Sequence, residues 1–187
     1  MLRQRHSIRL KGYDYAQSGA YFVTLCAHQR KSLFGNIVDG EMHLNEAGGI
    51  IETCLYKLPR FFSNARIDQW VIMPNHLHMI LVLNEQCTGE ATTAKSQNTM
   101  NNLPVVASPL RPRGTISGSL NAIVQNIKSV TTIKINNQGG SRGVQVWQRN
   151  YYEHIIRDEA DYQRIAEYIL NNPQRWELDS LYTNQNG

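Results

Sequence analysis

The sequence predicts an α+β fold of the ferredoxin-like kind, an antiparallel sheet with helices packed mainly on one face. Three observations carry this. Strand-like and helix-like segments do not alternate strictly along the chain, which argues against a doubly wound parallel sheet. Two strands, Ile67–Val71 and Leu77–Leu83, are joined through Met73-Pro74-Asn75, a turn-forming tripeptide. The chain has 187 residues, 41% of them hydrophobic, enough to bury a core without covalent staples.

The other elements follow in order. Residues 20–26, AYFVTLC, are β-branched and aromatic, the composition of a strand. A short strand or turn region spans Phe34–His43. From Asn45, an N-cap residue, Ala47, Ile51, Cys54 or Leu55, Leu58 and Phe61 or Phe62 recur at helical spacing, and Pro59 marks the end. Ser119 caps a second helix with Leu120, Ile123, Val124, Ile127 and Val130 on one face. The Gly-rich run 138–143 stops it. Residues 144–157 are strand-like at their start. Asp158 then caps a last helix, which ends before Pro173.

Residues 85–115 differ in kind. They carry no aromatic residue and are rich in Thr, Asn, Ala and Pro, which reads as a flexible loop inside one domain of residues 1–187. At the N-terminus, Arg3, Arg5, Arg9 and Lys11 occur with no acid among residues 1–11. They form a solvated terminus or a basic arm lying on phosphates. Net charge is +4, a mild basic bias that permits a nucleic-acid partner without demanding one. No apolar run approaches a membrane span, and the first residues lack a secretory h-region. Three cysteines, with no CxxC, argue against a disulfide framework or a zinc knuckle. A cytoplasmic protein is expected.

His76 and His78 are the most informative pair. On a strand, positions i and i+2 point to one face, so both rings can meet one divalent ion. The plainer alternative is two hydrogen-bonded, inert histidines on a half-exposed sheet face.

The surrounding run, WVIMPNHLHMIL at 70–81, resembles the His-hydrophobic-His element of single-tyrosine transposases. GAYFVTLCAHQRKSLFG at 19–35, SLNAIVQNIKSVTTIKIN at 119–136 and VWQRNYYEHIIRDEADYQRIAEYILNNPQRW at 146–176 are similar to further blocks of the REP-associated tyrosine transposases, in the same order. The resemblance implies a ferredoxin-like core whose two histidines hold a divalent metal, Mg or Mn. It implies cleavage of single-stranded DNA beside hairpins such as repetitive extragenic palindromes. A tyrosine on the last helix would attack the phosphate, form a 5′-phosphotyrosine link and free a 3′-OH. Such a link stores the bond energy for rejoining, so no nucleotide-triphosphate site is needed, and no P-loop run is present.

Matching the last block to the family pattern favours Tyr162 as the nucleophile. Tyr162 also shares a helix face with Ile165, Ala166 and Ile169, whereas Tyr168 is expected to turn away. In related enzymes a polar residue one turn after the tyrosine completes the metal site. Four residues after Tyr162 stands Ala166, which cannot coordinate, so the third ligand stays open, with His154 as one alternative. Lys128 and Arg149 are further candidate DNA contacts, and Tyr151 and Tyr152 suit packing or base stacking. Trp147 reads as an anchor of the last strand. Three activities remain: a tyrosine strand transferase, an inactive hairpin- or single-strand-binding module of the same fold, and a phosphodiesterase that uses water. Either a monomer or a homodimer is compatible.

Overall fold

The computed structural model describes residues 14–85, 116–140 and 143–182. A four-stranded sheet has the order β4-β5-β1-β6, with β1 Gly19–Cys26, β4 Ala65–Met73, β5 His76–Leu83 and β6 Tyr152–Ile156. All of its pairings are antiparallel. A separate hairpin pairs β2 Gly35–Val38 with β3 Glu41–Leu44. The helices are α1 Glu46–Lys57, α2 Leu120–Gln138 and α3 Glu159–Asn171. Without the hairpin and α3, the order β1, α1, β4, β5, α2, β6 is the ferredoxin-like βαββαβ unit.

The caps explain where the helices begin. Asn45 accepts from the Gly48 amide, Ser119 from Ala122 and Asp158 from Asp161. The β2–β3 turn is made by Asp39 and Gly40, both at positive φ, which gives the twist a tight hairpin needs. Gly48 sits where α1 meets the chain at Phe34, whose carbonyl oxygen lies 2.3 Å from where a Cβ would stand. A larger residue there would push the helix off the hairpin.

The two faces of the sheet have different partners. Leu77, Met79, Leu81 and Leu83 of β5 pack with Ile51 and Leu55 of α1 and with Leu120, Ile123 and Ile127 of α2. The opposite face places Ile80 and Phe22 against Ile165 and Ile169 of α3. Of the three α-helices among the described residues, two therefore share a face, as expected, and α3 covers the other one.

Three details depart from the sequence reading. The strand in 144–157 lies at its end, Tyr152–Ile156, while its start makes an isolated bridge from Trp147 to Ala27. On α2 the fully buried position is Thr131 and not Val130. Thr131 is inside because its hydroxyl accepts from Trp147 Nε1 at 2.8 Å and donates to the Ile127 carbonyl at 2.7 Å. Trp147 itself is buried against Phe34, the anchor role expected of it. The basic arm (Arg3, Arg5, Arg9, Lys11) and all of the 85–115 loop except Glu85 lie outside the described residues.

Candidate active site

β5 carries His76 and His78 on the face that α3 covers, the face of Ile80. Their ring centroids are 4.4 Å apart and both side chains are buried. Phe22 of β1 stacks on His78 and Trp176 leans over His76.

The hydrogen bonds fix the proton of His76. The Asn75 side-chain nitrogen donates to the carbonyls of Arg30 and Leu181, at 3.2 and 2.8 Å. That orients the amide, so its oxygen is the atom 2.7 Å from His76 Nδ1. An amide oxygen only accepts, so Nδ1 carries the proton and Nε2 presents a bare lone pair. Burial lowers the His76 pKa to about 4 against the opposing pull of the Asp179 carboxylate, so the ring is neutral at pH 7. His78 Nδ1 lies 2.8 Å from the Thr24 hydroxyl, and burial pushes its pKa well below the usual imidazole range.

The end of α3 and the turn after it face these rings. The Tyr168 hydroxyl is 3.1 Å from His78 Nε2 and donates to Asp179 Oδ2 at 3.2 Å. Asn172 Nδ2 donates to the same carboxylate oxygen at 3.0 Å. Asp179 Oδ2 stands 4.0 Å from His76 Nε2, and its Oδ1 accepts from the Leu181 amide. Burial, and then the Asp179 carboxylate, raise the Tyr168 phenol to about 12.

Ligand atoms of His76, His78 and Asp179 all lie within 4.8 Å of one another. Two buried atoms beside them, His76 Nε2 and Asn172 Oδ1, have no hydrogen-bond partner. A bare imidazole nitrogen and an amide oxygen left unsatisfied in a buried site are costly unless something fills the space between them. Two neutral imidazoles, a carboxylate and an amide oxygen are the donors a divalent cation takes, so these residues fit one.

No family model matches the sequence. An uncharacterized protein of Haemophilus influenzae (strain ATCC 51907 / DSM 11121 / KW20 / Rd) is 44% identical over 183 residues, covering 97% of this chain and 94% of its own. The chain belongs to the same family as that protein. Among solved structures, a REP-associated tyrosine transposase bound to a REP hairpin matches 90% of this chain and 74% of its own, with a TM-score of 0.54 and 20% sequence identity. The fold of this family is thus the fold of a REP-associated tyrosine transposase. No helix among the described residues is long and apolar enough to cross a membrane.

The structure separates the two tyrosines of α3 differently from the sequence reading. Tyr162 does point toward the sheet, but its hydroxyl donates to Asp68 Oδ2 at 2.5 Å, on β4. Asp68 sits where the β4 register shifts, between Ile67 and Gln69. That hydrogen bond is the main cause of the raised Tyr162 pKa. Tyr168, expected to turn away, reaches the histidines instead. Asp161, Ile165, Tyr168 and Asn172 recur at four, three and four, a stripe of their own beside the Ile165–Ile169 centre. Four residues after Tyr168 stands the polar Asn172, whereas four after Tyr162 stands Ala166.

The remaining candidates divide as follows. His154 Nε2 donates to Asp161 at 2.7 Å, so it ties β6 to α3. The Lys128 ammonium binds the carbonyls of Gln148 and Arg149, the latter at 2.9 Å, and holds that segment against α2. Burial lowers its pKa. The Arg149 side chain is exposed. Tyr152 is 44% exposed and lines a cavity of about 650 Å³ next to Tyr168 and His78. Asn172 and Asp179 escaped the sequence reading. The usable signal for Asn172 was its spacing of four from Tyr168. Asp179 lies beyond a 3-10 turn, Pro173–Leu178, and no periodicity reports it.

Proposed function

We propose that this protein is a metal-dependent nuclease and strand transferase for single-stranded DNA, with Tyr168 as its nucleophile. The observation that carries the reading is the placement of one phenol 3.1 Å from the His78 imidazole and 3.2 Å from the Asp179 carboxylate, which itself stands 4.0 Å from His76 Nε2. The shared fold with a transposase bound to a REP hairpin supports hairpin DNA with a single-stranded flank as substrate.

His76, His78, Asp179 and Asn172 would hold a divalent cation, Mg or Mn, which supplies charge neutralisation on a non-bridging phosphate oxygen. The Tyr168 oxygen attacks phosphorus and the bond to the 3′-oxygen of the preceding nucleotide breaks. The phenolic proton is directed at Asp179 Oδ2, and the leaving 3′-oxygen gains a proton. One phosphoester forms for the one broken, so the strand can be rejoined by reversal. Asn75 keeps the His76 lone pair aimed inward. Phe22 and Trp176 exclude water from the rings and fix their planes.

The inactive binding module rested on the apolar residue four positions after Tyr162. With Tyr168 as nucleophile that position is Asn172, and the argument for inactivity goes with it. The test is a denaturing-gel shift. Labelled single strands and hairpins from the DNA flanking the gene are incubated with Mn or Mg. A denaturation-resistant adduct is expected for wild type and Tyr162→Phe and not for Tyr168→Phe. An adduct that persists in Tyr168→Phe moves the nucleophile elsewhere.

A further inference from the structure

The half of the histidine face that α3 leaves uncovered is a cavity between β1, β6 and the Tyr168 end of α3. Its lining includes Arg30, Arg164, Asn150, Tyr151 and Tyr152 and, among the described residues, no carboxylate. Tyr152 stands on the same face as His154 and Thr24, with its ring edge-on to Phe22 at 6.3 Å and nearly half its surface open. Arg164 faces the cavity from α3, its Nη2 donating to Asp161 while the side chain stays 70% exposed. A volume of about 650 Å³ suits one small ligand and cannot admit a duplex.

A recess lined by guanidinium groups and an open aromatic ring, with its nearest carboxylate, Asp161, behind Arg164 and His154, suits an anion with a flat, stackable body. Bases inside a duplex are stacked on each other and cannot enter it. We propose that this cavity is a subsite for one unpaired nucleotide next to the phosphate that Tyr168 attacks. Its base stacks on Tyr152 and its phosphate meets Arg164. The subsite rests on the nuclease reading for its neighbour, but it is a binding claim and is tested without cleavage.

The probe is a fluorescently labelled single-stranded oligonucleotide of randomised sequence, with a matched duplex, measured by anisotropy in EDTA. Wild type is expected to bind the single strand more tightly than the duplex. Tyr152→Ala is expected to weaken single-strand binding about tenfold to a hundredfold, and Tyr152→Phe to stay within about twofold, since stacking needs the ring and not the hydroxyl. Arg164→Ala is expected to weaken binding and lower the salt dependence by about one phosphate. Thermal melts confirm that each variant is folded. A folded Tyr152→Ala that binds as wild type does, or a wild type that prefers the duplex, overturns the subsite. If Tyr168 forms no adduct on any strand while the Tyr152 effect persists, the nuclease reading fails and the subsite stands. An adduct in wild type with no Tyr152 effect has the opposite meaning.

Discussion

The Tyr168 hydroxyl and His78 Nε2 are 3.1 Å apart, although ninety residues of chain separate them. The contact joins the far end of α3 to the strand at the centre of the histidine face.

Replacing Tyr168 by Phe removes one oxygen from a half-buried ring. Adduct formation should fall below detection while single-strand binding changes less than threefold. Tyr162→Phe removes the bond to Asp68 instead. It should cost about 1 kcal/mol of stability, read by chemical denaturation, with adduct formation retained.

The Tyr168 phenol is held near 12 by burial and by the Asp179 carboxylate. A divalent cation beside that carboxylate cancels the second cause and favours the phenolate. Ultraviolet difference titration of wild type against Tyr168→Phe should show one phenol ionising above pH 11 in EDTA and at a lower pH with Mn. An unchanged midpoint would mean that no cation binds within reach of the phenol.

Asn75 has no donor atom in the proposed cation cage, yet it sets which nitrogen of His76 is bare. Asn75→Ala should weaken Mn binding by about tenfold to a hundredfold, measured by calorimetry. Asp179→Asn and Asn172→Ala should weaken it at least as much. A Phe61→Ser variant, at an exposed residue just after α1, touches none of these groups and should leave Mn affinity within about threefold.

Acid should destabilise the fold through His76. Its folded-state pKa, about 4, lies below the usual 6.5, so the unfolded chain takes up the proton first. The contribution of the neutral ring is intact above pH 6.5 and is lost as pH falls from 6.5 toward 4. Urea midpoints at pH 7, 6 and 5 should fall, and His76→Gln should flatten the decline.

Much of the fold was legible because it is written in periodicity. The strand HLHMILVL, the helix caps Asn45, Ser119 and Asp158, and the turn at Pro74-Asn75 are all local signals, and each appears where it was read. The two histidines were legible for the same reason. Tyr168 was not, because the helix reading chose the residue at the centre of the apolar stripe. Tyr168 lies at the margin of that stripe, 43% exposed, where the apolar periodicity carries no signal. Asp179 was invisible because its position depends on a tight turn folding back over Trp176 and His76. Lys128 read as a phosphate contact because its charge was visible and the carbonyls of Gln148 and Arg149 that receive it were not.

The first turn of α3 is fastened on both sides of the sheet. Asp161 accepts from His154 on β6, and Tyr162 donates to Asp68 on β4, the two outermost strands of the four. A rod held on opposite banks cannot roll about its own axis, but it can still pitch. Tyr168 sits seven residues beyond Asp161, about 10 Å along the axis at 1.5 Å per residue. Over that arm a pitch of about 6° carries the phenol about 1 Å, a displacement that can cost a reaction about a hundredfold in rate. On the proposed reading, Asp161 and Tyr162 set the aim of a hydroxyl they never touch.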